Sequence, residues 1–121
     1  MRKLVLLLAV VVLALAAAVG GIASTGKGGY DLKGEVYVAF KIEMKNQAHQ
    51  PLKTVKAGAY RIKIEDKASI HDFHLIGPGV NKATSLAGVG ETTWTVRLKP
   101  GKYTYVCDAH AQMRGTFRVT A

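Results

Sequence analysis

The stretch LKPGKYTYVCDAHAQMRGTFRV, residues 98–119, holds both the fold signal and the chemistry of this chain. A Pro100-Gly101 turn leads into a run in which Tyr103, Tyr105 and Cys107 share one face. A second alternating run, Gly115-Thr116-Phe117-Arg118-Val119, follows within a few residues. Period-two alternation on both sides of a tight loop describes two antiparallel strands. A tyrosine just after such a corner can bond its hydroxyl to main chain a few residues upstream, so Tyr103 reads as structural. The loop itself carries the only cysteine, with a histidine and a methionine at three-residue steps: Cys107, His110 and Met113.

Outward from this stretch the same period recurs. EVYVAFKIEM (35–44) sets Val36, Val38, Phe40, Ile42 and Met44 against Glu35, Tyr37, Ala39, Lys41 and Glu43. YRIKIED (60–66) sets Tyr60, Ile62 and Ile64 against charged neighbours, and TTWTVRL (92–98) sets Trp94, Val96 and Leu98 against Thr93, Thr95 and Arg97. Turn signals separate these runs at Asn46-Gln47, Ala57-Gly58, Gly77-Pro78-Gly79 and Gly88 to Gly90. Closely spaced strands with Gly/Pro punctuation predict an all-β, Greek-key β-sandwich, with Met44, Trp94 and Phe117 in its core. His49, within NQAHQP, reads as a surface residue.

The start of the chain is different. Arg2 and Lys3 precede an unbroken aliphatic run from Leu4 to Val19, followed by small residues, which is the layout of a secretory signal peptide. Its Ala- and Gly-rich end favours cleavage after Ala18 or Ala23, giving a signal segment over 1–23. An uncleaved anchor is the alternative, because a span needs about 20 apolar residues. Residues 24–34 (STGKGGYDLKG) read as a flexible lead-in and 35–121 as one domain. The formal charge is +9, of which +7 remains without Arg2 and Lys3. A basic balance suits nucleic acid, anionic lipid or an acidic protein partner; the cations are scattered and the chain is read as exported, which argues against nucleic acid. One cysteine makes no intrachain disulfide, so in an exported protein Cys107 is a reactive thiol or a metal ligand.

Cys-x2-His alone fits zinc or chance, and each residue taken singly could be core filling. The added thioether favours a soft copper-binding site. A trigonal site needs a second imidazole, and SIHDFHLIGPG (69–79) offers two. On a strand, residues three apart face opposite sides. His71 shares the face of Phe73 and Leu75, the expected core face, whereas His74 is expected outward.

These residues resemble the cupredoxins, the small blue copper proteins, over 35–121. HDFHL is similar to the family's His-Asn segment, and YVCDAHAQMRGTFRV to its ligand loop, in the short form of amicyanin- and plastocyanin-like members. The resemblance implies that His71, Cys107 and His110 are the strong copper ligands and Met113 a weak axial one, with one type 1 copper per chain. It further implies a one-electron carrier, not an enzyme, with the His110 edge as electron port between Ala109 and Ala111. Two departures stand out. Asp72 occupies the Asn position that helps tie ligand strand to loop, and its charge is expected to lower the potential. Ala109 replaces a common proline. The alternatives are a copper-delivery protein with the same ligands, a zinc site recruiting His74, and Cys107–His110 catalysis. No His-Cys-His segment marks a multicopper oxidase.

Overall fold

The computed structural model describes residues 29–121, so the signal segment 1–23 lies outside the described residues. Nine strands follow one another: β1 (Leu32–Val36), β2 (Ile42–Asn46), β3 (Thr54–Lys56), β4 (Gly58–Asp66), β5 (His74–Gly77), β6 (Val80–Ala83), β7 (Gly90–Leu98), β8 (Gly101–Cys107) and β9 (His110–Thr120). They form a four-stranded sheet, β2-β1-β4-β7, and a five-stranded sheet, β3-β9-β8-β5-β6. The β1–β4 and β3–β9 pairs are parallel and the other pairs antiparallel. The expected all-β sandwich is what forms. No helix among the described residues is long and apolar enough to cross a membrane.

The core lies between the sheets, where alternation put it. Ile62 and Ile64 of β4, Leu98 of β7, Leu75 of β5 and Tyr103 of β8 are buried side by side with Phe117 and Val119 of β9. Met44 is buried, and Trp94 packs half-buried against the cluster. Tyr103 makes the expected corner: its hydroxyl donates to the Pro78 carbonyl at 2.7 Å and accepts from the Lys99 N–H at 3.0 Å.

Two expectations change. β1 begins at Leu32, inside the stretch read as lead-in, and Gly34 lets Phe73 press against its backbone, where an added Cβ would come within 2.6 Å of the ring. EVYVAFKIEM is not one strand but a hairpin. Backbone bonds from Tyr37 N–H to Lys41 O and from Lys41 N–H to Ala39 O fold it back. Val38 and Phe40 therefore sit exposed at the tip instead of facing the core.

Candidate metal centre

Three elements meet at one end of the sandwich. His71 comes from the loop joining β4 to β5, which crosses between the sheets, while Cys107 ends β8 and His110 begins β9. The β8–β9 ladder is interrupted there: Val106 pairs with Arg114, but Cys107 pairs with His110. Residues 111–113 are thereby looped out of register, and the tight turn brings His110 Nδ1 to 3.7 Å from the Cys107 sulfur.

His71 and Cys107 are fully buried and His110 half-buried. The two imidazole Nδ1 atoms lie 3.0 Å apart, and each is 3.7 Å from Cys107 Sγ. A point equidistant from all three donors lies about 2.0 Å from each, the length of a metal–nitrogen bond and slightly shorter than a metal–thiolate bond. Two imidazoles and one thiolate suit a soft transition metal. The residues present therefore fit copper.

The sequence argument reached His71 by a route the structure corrects. Residues 71–73 are not strand, and His71, Asp72 and Phe73 are all buried in succession, which a two-residue period forbids. Asp72 accordingly does not share an outward face with His74. Its Oδ1 accepts the Asp108 N–H at 2.7 Å, tying the His71 loop to the Cys107 loop. Burial, aided by the neighbouring Asp108 carboxylate, pushes the Asp72 carboxyl up, whereas Asp108 is held down by Asp72 and His74.

His74 stands outside the donor cluster. Its Nδ1 lies 2.8 Å from Asp108 Oδ1, and its Nε2 faces Asn81 Oδ1. Burial opposes its charge, but Asp108 and Asn81 outweigh that and raise its pKa. Met113 is buried on the inward face of β9 with Phe117 and Val119, in the same core cluster as Cys107. His49 is exposed and left-handed, at φ 59°.

One contributor was missed. Phe40, 63% exposed, meets the rings of both His71 (centroids 5.3 Å apart) and His110 (4.9 Å) edge-on. With Val38 and Ile70, also exposed, it extends an apolar rim beyond Ala109 and Ala111. No residue of 35–44 is Gly, Pro, Asn or Asp, so the sequence offers no turn signal where Phe40 leaves the strand.

Comparison with known proteins agrees with this architecture. No curated protein sequence matches the chain. Among solved structures, rusticyanin from Thiobacillus ferrooxidans matches with 21% identity and a TM-score of 0.54, over 74% of this chain and 75% of that one. A structure of rusticyanin variants matches with 24% identity and a TM-score of 0.55, over 74% and 75%. A reduced amicyanin mutant matches with 18% identity and a TM-score of 0.47, over 73% and 80%. A family model described as a cupredoxin-like domain matches residues 4–119. With that match spanning nearly the whole sequence, and a donor cluster consistent with one copper site, the chain belongs to the cupredoxin-like family.

Proposed function

We propose that this chain is an exported blue copper protein that carries one electron at a time, its copper held by His71, Cys107 and His110 with Met113 as a weak axial ligand. The observation that carries the reading is the triangle of donors at 3.0 and 3.7 Å, at one end of the sandwich. Copper, when bound, supplies a Cu(I)/Cu(II) couple. The protein supplies donors that need not move between the two states, since the Asp72–Asp108 bond and the β8–β9 ladder fix their loops. His110 is the half-exposed donor and so the electron port, rimmed by Phe40 and the two alanines. Export rests on the segment 1–23.

Charge placement supports an acidic partner. None of the strands of the five-stranded sheet contains Asp or Glu. Lys56, Lys102, Arg114 and Arg118 are exposed there, and Lys102 stands directly opposite Arg118, a like-charge pairing that costs stability. On the other sheet Lys33, Lys45 and Lys63 are matched by Glu35, Glu43, Glu65 and Glu91. The excess positive charge is thus one-sided, as steering of an acidic partner requires.

Voltammetry of the copper-loaded chain tests the reading. A reversible one-electron couple is expected, retained in His74→Ala, lost in His71→Ala, and shifted to higher potential in Met113→Leu. A copper-delivery protein would instead give up Cu(I) readily to a competing chelator and show no stable couple.

A further inference from the structure

Four strands are the outer strands of the two sheets: β2 and β7 of one, β3 and β6 of the other. An outer strand leaves a row of backbone N–H and C=O groups unpaired, and proteins blunt such edges with short strands, charges, proline or bulges. β2, β3 and β6 are short, at five, three and four residues. β7 is not: GETTWTVRL runs nine residues, in unbroken register with β4 from Gly90 to Leu98. It contains no proline, and residues 92–96, between Glu91 and Arg97, carry no charge. The edge is also open. Thr92 pairs with Ile64 and so lies on the inward face, yet it is exposed.

The side chains of β7 specify what can pair with it. Glu91, Thr93, Thr95 and Arg97 stand in a row on the outward face, all exposed, with Trp94 at the midpoint of the run. Laid antiparallel to a copy of itself about Trp94, the strand sets Glu91 opposite Arg97, Thr93 opposite Thr95 and Trp94 opposite Trp94. Opposite charges and threonine pairs directly across antiparallel strands are stabilising. A slip of two residues in either direction separates Glu91 from Arg97, and parallel in-register pairing sets Glu91 beside Glu91. Arg97 makes no ion pair among the described residues, and its neighbour on β4 is Ala59. Glu91 meets Lys63 at 3.2 Å, but its side chain is 60% exposed and can reach across the edge.

We infer that β7 is the seam of a two-fold symmetric dimer of this chain: β7 pairs antiparallel with its own copy about Trp94, joining two four-stranded sheets into one of eight strands. The contact is self-complementary, so each Glu91–Arg97 pair occurs twice. Gly90 lies beside Asp66, from which the chain runs on to His71, so the two copies carry their donor triangles at opposite ends of the seam. Both His110 edges therefore remain uncovered. Lys82 Nζ lies over the Trp94 ring, 5.8 Å from its centroid, so the two-fold axis brings two lysines toward each other. That like-charge approach opposes the pairing and makes the dimer weak and reversible.

Sedimentation of the full chain without metal, over rising protein concentration at low salt, tests the seam. A reversible monomer–dimer equilibrium is expected, with the emission of Trp94, the only tryptophan, shifting at the same midpoint. Glu91→Lys sets a lysine against Arg97 of the copy, and Arg97→Glu sets a glutamate against Glu91. Each variant alone should raise the dimer dissociation constant about tenfold or more. Mixed in equal amounts, the two variants should form a heterodimer about as tight as the unaltered dimer, because both pairs are again opposite in charge. The doubly exchanged chain should recover in the same way. Neither arrangement repairs the ion pair between Glu91 and Lys63 within one chain, so recovery identifies the seam and not a change inside the fold. Association through the apolar run 4–19 would be indifferent to all these exchanges. An unaltered chain that stays monomeric up to about 1 mM would overturn the inference. So would a dimer that neither single exchange weakens, or one that mixing the two variants fails to restore.

Discussion

Asp72 gives a prediction with opposite signs for two substitutions at one atom. Its buried Oδ1 accepts the Asp108 N–H at 2.7 Å and joins the two loops that bear His71 and Cys107. Asp72→Ala removes that acceptor and strands the N–H, a loss of about 1–3 kcal/mol. Asp72→Asn keeps an acceptor at Oδ1 and adds an NH2 able to donate toward the Asp108 carboxylate. It also removes a carboxyl that burial and Asp108 disfavour in its charged form. The sign follows from linkage. A carboxyl raised in the folded state stabilises the fold at low pH, and that contribution is lost as pH rises above its unfolded value of about 3.9. Asn should therefore match Asp near pH 4 and exceed it at pH 7. Urea unfolding of the metal-free chain is the assay. With a urea dependence of about 1–3 kcal/mol/M, Asp72→Ala should lower the midpoint by about 1 M at pH 7, whereas Asp72→Asn should hold or raise it. Equal destabilisation by Ala and Asn at pH 7 would refute the reasoning, because it would mean that the charged carboxylate itself is needed.

Two further outcomes follow from the same structure. His74, whose pKa is raised by Asp108 and Asn81 against the opposing effect of burial, stabilises the fold below its unfolded value of about 6.5 and loses that contribution as pH rises through its folded pKa. The stability gap between the unaltered chain and His74→Gln should be widest near pH 5 and close toward pH 9 in unfolding scans. Tyr103→Phe deletes the bonds to Pro78 and Lys99 from a fully buried ring and should cost about 1–3 kcal/mol in thermal or urea unfolding, with metal uptake unchanged.

Where a strand has one wet and one dry face, period-two alternation is a direct record of burial, so Ile62, Ile64, Val96, Leu98, Phe117 and Val119 were legible from sequence. The tyrosine corner was legible because Pro100-Gly101 fixes where the chain turns. Phe40 was not, since alternation continues unbroken through a hairpin that lacks any turn residue; backbone bonding within 37–41 decides it. The loop 67–73 defeated the pattern in another way. Three consecutive buried residues there satisfy loop and sheet together, and Asp72 is buried because a backbone N–H on another loop requires it. Asp66 stands two residues beyond Ile64 on the buried face of β4, so alternation places it inward although its charge reads as solvated. The donor set was legible for Cys107 and His110, which are local to one turn, and depended on a choice between two histidines for the third.

The most direct test of the copper centre is to add Cu(II) to the reduced, metal-free full chain and record its visible and electron paramagnetic resonance spectra. The account predicts one copper per chain, an intense thiolate-to-copper charge-transfer band and narrow hyperfine splitting, all abolished by Cys107→Ser. A colourless complex, or one whose spectrum survives loss of the Cys107 sulfur, would contradict it.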